Sequence, residues 1–143
     1  MKKKIIYIIR GVSGSGKTSL GENLVETAIL AGKTASQFEA DQFFTDSAGN
    51  YLFNRDELQK AHDDCFDRFC EAIGSEVEVV VLTNTSTKES EFQRYQEYAE
   101  KNGYIVFVSV VEHRHKKGDS HNISQEVKER QEENLRANLK LVL

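Results

Sequence analysis

Residues 11–18 read GVSGSGKT, and this stretch decides the fold because it matches the pattern G-x-x-x-x-G-K-[ST] at every position. The apolar run of residues 5–9 precedes it, and a segment with helical spacing follows it. Glycines let the backbone curl with its N–H groups pointing inward, where they and the positive end of the next helix attract phosphate oxygens. The pattern predicts a phosphate-binding loop, and the alternative is an ordinary glycine-rich turn.

The side chains at the end of this loop suit a nucleotide and its metal ion. Lys17 offers a cation to the β- and γ-phosphates, and the hydroxyl of Thr18 suits Mg²⁺. We therefore expect ATP or GTP as the nucleotide, Mg²⁺ as its ion and Thr18 as the metal ligand. The residues expected to hold the nucleotide are Gly11, Val12, Ser13, Gly14, Ser15, Gly16, Lys17, Thr18 and Ser19.

Size and composition indicate one soluble domain. The chain has 143 residues, of which 38% are hydrophobic and 29% are charged, so we predict a single domain over residues 1–143. No apolar run approaches the ~20 residues of a membrane span. The net charge of −4 draws no nucleic acid to the surface as a whole, although a local basic patch would suffice. Cys65 and Cys70 lie on different sides of a predicted helix, and two unbridged thiols without a secretory signal indicate the cytoplasm.

Strand and helix patterns alternate along the chain. The predicted strands are residues 4–10, 34–40, 77–82 and 104–111, and the predicted helices are 17–31, 55–73, 88–101 and a last one from 124 past 135. Such alternation predicts a P-loop NTPase of α/β class, with three layers (α/β/α), a parallel four-stranded sheet and a C-terminal lid helix. Ligands bind at the carboxyl ends of parallel strands, so the loops after residues 10, 40, 82 and 111 should face one site.

In the order of its motifs the chain resembles the polynucleotide 5′-kinase-like branch of the P-loop kinases, small proteins of which some are encoded by bacteriophages. The resemblance runs over nearly the whole chain. It implies a kinase that transfers phosphate from ATP to a hydroxyl, most characteristically the 5′-hydroxyl of a nucleic acid or nucleotide. The matching segments after the loop are EADQFF at 39–44, GNYLF at 49–53 with Leu58, Ala61 and His62, TNTST at 83–87, and HNIS at 121–124 with Val127 and Arg130.

Four positions depart from the family pattern. Thr83 stands where an aspartate often follows the third strand, and Gln42 stands where a second aspartate is common. Ser13 replaces a proline of the loop, and Asn122 replaces the glycine of the lid. With Thr83 neutral, we expect Mg²⁺ to depend on Thr18, phosphate oxygens and water.

Asp41 is the predicted general base. Phosphoryl transfer to a hydroxyl needs a carboxylate that orients the attacking oxygen and takes its proton, and the resemblance implies the same role. The alternative is an aspartate that caps a turn. Glu39 lies two residues earlier on the same strand face and is a weaker candidate for the base, and we interpret it instead as a solvated carboxylate.

Several further residues are candidates for acceptor binding. Asn84 is favoured in the loop after the third strand, while Thr85, Ser86 and Thr87 have capping of the next helix as their alternative role. His62 lies on an apolar helix stripe, which indicates either a core histidine or a wall of the acceptor pocket. Aromatic side chains after Asp41 either stack on a base or pack the loop onto the domain. They are Phe43, Phe44, Tyr51 and Phe53.

Arginines near the C-terminus are the predicted phosphate clamps. Arg114 belongs to the basic run of residues 113–117, whose alternative is a solvated loop that balances the acidic last helix. Arg130 on the lid helix can hold two phosphate oxygens at once, and its alternative is a surface pair with Glu126 or Asn134. Arg136 is the second choice for that role.

Two rival functions fit the same sequence. One is a small-metabolite kinase, because the acceptor pocket and not the fold sets the acceptor. The other is a nucleotide-binding regulatory module with weak catalysis, which the neutral Thr83 favours. The sequence alone fixes neither the acceptor nor the oligomeric state.

Overall fold

A computed structural model of the chain describes residues 2–115 and 122–142. Strands and helices alternate as the hydrophobic periodicity predicts, with boundaries within two residues at most ends. In chain order the elements are β1 (Ile5–Arg10), α1 (Lys17–Leu30), β2 (Ala35–Phe38), α2 (Leu58–Gly74), β3 (Val79–Leu82), α3 (Glu89–Lys101), β4 (Ile105–Val110) and α4 (Gln125–Ala137), with 3-10 turns at Ala40–Phe44 and Arg55–Glu57.

The sheet is parallel and its strand order is β2-β3-β1-β4. β1 and β3 occupy the centre because their apolar side chains can be buried on both faces. β1 pairs with β3 so that Ile8 lies opposite Leu82, and β3 pairs with β2 so that Phe38 lies opposite Leu82 from the other side. The predicted four-stranded parallel sheet is confirmed, and β1, β2 and β3 end at one edge.

Helices cover both faces of the sheet. On one face α1 buries Ala28 against Ile9, Val79 and Val81. On the other face α2 and α3 pack over the alternate residues of β1 and β3, and the rings of Phe69 and Tyr95 meet there at 5.0 Å between centroids. The predicted three-layer arrangement is confirmed, and it leaves the carboxyl edge of the sheet for loops.

Local signals end the helices largely where the sequence places them. Gly32 follows α1 with φ +81°, a conformation that favours glycine. Asn54 Oδ1 accepts a hydrogen bond from Asp56 N at 3.0 Å, and Ser124 Oγ accepts one from Val127 N at 3.3 Å, so both side chains cap helical turns. The suggested capping of α3 by residues 85–87 is wrong, because its N-cap is Lys88 without a side-chain bond.

Two other features bear on the sequence expectations. Both cysteines are free thiols, with Cys65 buried and Cys70 half-buried. Across the portion of the chain with described structure, none of the helices combines the length and apolar character needed to cross a bilayer.

Candidate active site

The loop of residues 11–18 curls at the carboxyl edge of β1. Gly16 adopts φ +100° at the start of α1, and only glycine tolerates this left-handed conformation readily. A Cβ on Gly11 would lie 2.6 Å from Ser15 Oγ and 2.9 Å from the carbonyl oxygen of Val111, so the close approach there also requires glycine. The Gly11 amide donates to the carbonyl of Thr85 at 3.0 Å, which ties the loop to the segment after β3.

Lys17 lies folded over this loop. Its side chain is 7% exposed, and Nζ donates to the carbonyl oxygen of Val12 at 2.9 Å. Burial lowers the pKa of Lys17 to about 8, while the negative charges of Glu39 and Asp41 act in the opposite direction. Lys17 is therefore a weakly hydrated cation beside two carboxylates, available to a phosphate that enters the loop.

Thr18, the first residue after Lys17, donates its hydroxyl to the Glu39 carboxylate at 2.9 Å. Thr83 donates to the same oxygen, Oε2, also at 2.9 Å. Gln37 Nε2 donates to Thr83 Oγ1 at 3.1 Å and to the Thr18 carbonyl at 3.2 Å, which holds the group together. A hydroxyl and a carboxylate are the oxygen donors that Mg²⁺ prefers, so Thr18 and Glu39 fit that ion. Sequence reasoning missed this contact of Glu39, because only the fold brings it to Thr18.

Asp41 lies in the 3-10 turn Ala40–Phe44 that follows β2. Glu39 and Gln42 form a capping box that fixes the start of this turn. Asp41 Oδ1 accepts a hydrogen bond from Tyr51 Oη at 3.2 Å. Burial, followed by the charge of Asp41, raises the pKa of Tyr51, which keeps the phenol protonated as a donor. Sequence reasoning assigned Tyr51 to stacking or packing and missed this contact.

Asn84 connects the end of β3 to the Asp41 turn. Its Oδ1 accepts a hydrogen bond from the Ala40 amide at 2.7 Å, and its Nδ2 donates to Cys65 Sγ at 3.8 Å. Both polar groups of the amide thus bind protein atoms. The Asn84 side chain thus ties the end of β3 to the residue before Asp41.

On α2, His62 is half-buried, and burial lowers its pKa below the usual 6.5. The His62 carbonyl accepts from Arg94 Nη2 at 3.1 Å. Arg68 donates to the Glu39 carbonyl at 3.3 Å and to the side chain of Gln42. Sequence reasoning did not single out these two arginines. Only the Asp64–Arg68 spacing of an i,i+4 pair gives any sequence signal for them.

The aromatic residues after Asp41 pack against one another. Phe44 is buried, with its ring centroid 5.1 Å from Phe53 and 6.3 Å from Tyr51. The rings of Tyr51 and Phe53 are stacked at 6.3 Å, and Phe53 remains 52% exposed. Phe44 therefore packs the loop onto the domain, which is one of the two roles expected from the sequence. Phe53 instead presents a ring surface to solvent.

The segment after β4 and the helix α4 lie against the phosphate-binding loop. His115 Nε2 is 3.0 Å from the carbonyl oxygen of Ser15, and Gln131 Oε1 accepts a hydrogen bond from the Ser13 amide at 2.8 Å. Sequence reasoning missed Gln131, since nothing in its spacing distinguishes it from its neighbours. The lid match at His121 and the lysines at 116 and 117 lie outside the described residues.

The arginines predicted as phosphate clamps are all exposed to solvent. Arg114 is exposed and forms an ion pair with Glu112. Arg130 is exposed on α4, and Arg136 pairs with Glu132 at 2.8 Å. In this structure it is Gln131, beside Arg130, that connects α4 to the loop.

A cavity of about 680 Å³ lies between the loop, the end of β4 and α4. Its size is within the range of ordinary small-molecule sites. Its lining includes apolar and charged side chains, among them Val12, Val111, Arg114, Lys128 and Leu135.

A glycine loop with a buried lysine at the carboxyl edge of a 2-3-1-4 parallel sheet defines a P-loop NTPase fold of the kinase-like type. A family model described as an AAA domain matches residues 6–142, and the chain belongs to that family. The fold class predicted from the sequence is thereby confirmed.

Several solved structures with this fold are distant in sequence from the chain. Kti12 of Chaetomium thermophilum in complex with ADP-AlF3 is 12% identical, with a TM-score of 0.66 over 90% of this chain and 79% of that chain. A mutant of the APS kinase CysC of Mycobacterium tuberculosis is 12% identical, with a TM-score of 0.58 over 95% of this chain and 97% of that chain. The complex of that kinase with AMPPNP and APS is 14% identical, with a TM-score of 0.56 over 77% of this chain and 63% of that chain. A gluconokinase from Sinorhizobium meliloti 1021 is 19% identical, with a TM-score of 0.51 over 94% of this chain and 77% of that chain.

Proposed function

We propose that the chain transfers the γ-phosphoryl group of ATP to a hydroxyl acceptor. The observation that carries the proposal is the buried Lys17 folded over a complete phosphate-binding loop, where the negative charges of Glu39 and Asp41 act on it. Structures of related fold contain ADP-AlF3, or AMPPNP together with APS, which supports a nucleotide in this loop. GTP is the alternative nucleotide.

In the proposed mechanism the loop amides and Lys17 hold the β- and γ-phosphates. Asp41 orients the acceptor hydroxyl and takes its proton as the acceptor oxygen bonds to the γ-phosphorus and the bond to the leaving ADP oxygen breaks. Tyr51 holds the Asp41 carboxylate through its hydrogen bond. Thr18 would hold the magnesium ion that comes with the nucleotide, and the ion would neutralise charge on the phosphates. Arg130 is the proposed lid cation, and Arg114 a clamp for acceptor phosphate.

For the acceptor we propose the 5′-hydroxyl of a nucleic acid or nucleotide. The exposed ring of Phe53, next to the Tyr51–Asp41 pair, supports a stacking surface for a base. Half-buried His62 on α2, on which the charge of Asp41 acts, is a proposed wall of the acceptor site. The order of the matched motifs supports this acceptor over a generic alcohol.

The test is transfer of radiolabelled γ-phosphate to a panel of 5′-hydroxyl DNA, 5′-hydroxyl RNA, nucleosides and sugars. We expect labelling of a 5′-hydroxyl. Asp41→Asn should reduce turnover about a hundredfold or more while ATP still binds. The matched control Asp67→Asn, on an exposed face of α2, should leave turnover unchanged. Full turnover in Asp41→Asn would remove Asp41 from the mechanism.

The second candidate is a kinase of a small metabolite, which the net charge of −4 favours. The gluconokinase and the APS kinase of similar fold carry names of this kind. The dependence of acceptor binding on salt concentration distinguishes the two candidate functions. Binding of a polynucleotide weakens steeply as salt is added, whereas binding of a neutral sugar changes little. Tight ATP binding with no labelled acceptor in the whole panel would instead favour a regulatory module.

A further inference from the structure

The carboxylate of Glu39 lies between two threonine hydroxyls that come from different parts of the chain. Thr18 belongs to the phosphate-binding loop and Thr83 follows β3, yet both donate to Glu39 Oε2 at 2.9 Å. Gln37 donates to Thr83 Oγ1, which leaves the Thr83 hydroxyl hydrogen directed at Glu39. The carboxylate is therefore oriented by the protein beside the threonine expected to bind metal.

Sheet register explains how Glu39 reaches this place. P-loop NTPases hold Mg²⁺ with the loop Ser or Thr and with an acidic residue beyond an adjacent strand. In this chain the residue after β3 is Thr83, which is neutral and 2% exposed. β2 pairs with β3 so that Phe38 lies opposite Leu82, and the next residues on the two strands are Glu39 and Thr83. The neighbouring strand thus presents a carboxylate one strand away from the usual position.

We propose that Glu39 supplies the carboxylate for the magnesium of the bound nucleotide in place of the acidic residue missing at Thr83. This inference rests on the proposed function, since it concerns the ion that accompanies ATP. Thr83 is a positioning residue, because it acts on the ion only through Glu39. Asp41 faces Tyr51 and serves the acceptor instead.

The spacing of the two oxygens suits the ion. Mg²⁺ takes oxygen ligands in an octahedron at 2.0–2.1 Å, which puts neighbouring ligand atoms about 2.9 Å apart. Thr18 Oγ1 and Glu39 Oε2 are separated by 2.9 Å. Among residues 2–115 and 122–142 there is no cluster of three or more His, Cys, Asp or Glu that would hold a metal without help. A single carboxylate suits Mg²⁺, which keeps several waters and takes phosphate oxygens as further ligands.

The test compares ATP affinity with saturating Mg²⁺ and with EDTA, by calorimetry, in the wild type and in Glu39→Gln. Glutamine has the same shape and still accepts hydrogen bonds from Thr18 and Thr83, so the local fold should persist. We expect unchanged ATP affinity in EDTA and a loss of tenfold or more, on the order seen for changes around metal sites, in the gain that Mg²⁺ produces. Glu26→Gln, which removes an exposed charge from α1, is the matched control and should keep the full gain.

The outcomes separate this inference from the proposed function. A gain from Mg²⁺ that is equal in wild type and Glu39→Gln would overturn the role of Glu39 and leave nucleotide binding standing. Wild-type protein that binds ATP equally with Mg²⁺ and with EDTA would also overturn it. Wild-type protein that binds no ATP under either condition would overturn the proposed function and this inference together.

Discussion

The phenol of Tyr51 donates a hydrogen bond to the carboxylate of Asp41, with 3.2 Å between Oη and Oδ1. The intervening loop makes this contact possible, because Asp46 accepts hydrogen bonds from the amides of Ala48 and Asn50 and closes a turn. The backbone of Tyr51 also forms an isolated antiparallel β-bridge with that of Thr45 across that turn. The pair thus fixes the direction of the carboxylate that we propose as the base.

Removing this phenol tests the positioning of Asp41. In Tyr51→Phe we expect turnover to fall about tenfold, as for the loss of one orienting hydrogen bond of about 1.4 kcal/mol, with ATP affinity unchanged. Steady-state kinetics and calorimetry measure the two effects. Tyr7→Phe removes a phenol from a tyrosine that stacks on Phe107 elsewhere, and is the control. Equal turnover in Tyr51→Phe and wild type would show that Asp41 needs no such partner.

We predict that Lys17 lowers the stability of the nucleotide-free protein although it strengthens the binding of ATP. Its buried charge lacks the hydration of an exposed lysine, so Lys17→Met should raise the free energy of unfolding of the nucleotide-free protein by on the order of 1 kcal/mol. The same change should lower ATP affinity at least tenfold, since the cation for the phosphates is lost (about 1.4 kcal/mol per factor of ten). Denaturant unfolding and calorimetry check both. Lys33→Met, at an exposed lysine, should change neither, and undiminished ATP affinity in Lys17→Met would contradict the binding role.

A substitution at Asn84 tests whether this residue positions the Asp41 turn or binds the acceptor. Because its side chain binds the Ala40 amide and Cys65, Asn84→Ala should lower the free energy of unfolding by about 1–3 kcal/mol and reduce kcat. KM for the acceptor should stay the same. Asn102→Ala, which removes a side-chain bond to the Tyr98 carbonyl at the end of α3, should lower stability without affecting kcat. A selective rise in the acceptor KM of Asn84→Ala would instead support the acceptor contact that the sequence suggested for Asn84.

Gln131 connects α4 to the phosphate-binding loop. In Gln131→Ala the Ser13 amide loses its partner, so α4 should exchange its amide hydrogens faster and the free energy of unfolding should fall by about 1 kcal/mol. Hydrogen exchange measured by mass spectrometry resolves the helix from the rest of the chain. Gln93→Ala, which breaks an exposed bond to Glu97 within α3, should leave α4 exchange unchanged. Identical exchange in all three proteins would argue against Gln131 as the anchor.

His62 makes stability depend on pH in a defined direction. Burial is the largest effect and lowers its pKa, and Arg94 acts the same way, against the charges of Glu91, Asp41 and Asp63. The unfolded chain therefore binds a proton near pH 6.5 while the folded protein does not, so this group makes the free energy of unfolding fall as the pH drops below about 6.5. An NMR titration of the His62 ring should give a midpoint below 6.5, and His62→Gln should lose this contribution. A midpoint above 6.5 would mean that the carboxylates outweigh burial.

Much of the fold was predictable because its signals are local. The apolar runs of β1 and β3, the glycine at position 32 and the caps at Asn54 and Ser124 each act within a few residues. The lysine of the phosphate-binding loop was also predictable, because that motif places its groups relative to one another without help from distant residues. The alternative of capping by residues 85–87 does not describe α3, since its N-cap is Lys88 and the Thr87 hydroxyl donates to the Glu91 side chain instead.

The arrangement around that loop depended on the tertiary structure. Glu39 meets Thr18 and Thr83, Tyr51 meets Asp41, and Gln131 meets Ser13, through separations of 10 to 118 residues. The amino-acid order alone determined the strand–loop–helix unit and the parallel sheet, since periodicity and backbone preference operate over short stretches. Which carboxylate faces which hydroxyl was decided only when strand register and helix packing brought distant side chains within hydrogen-bonding distance.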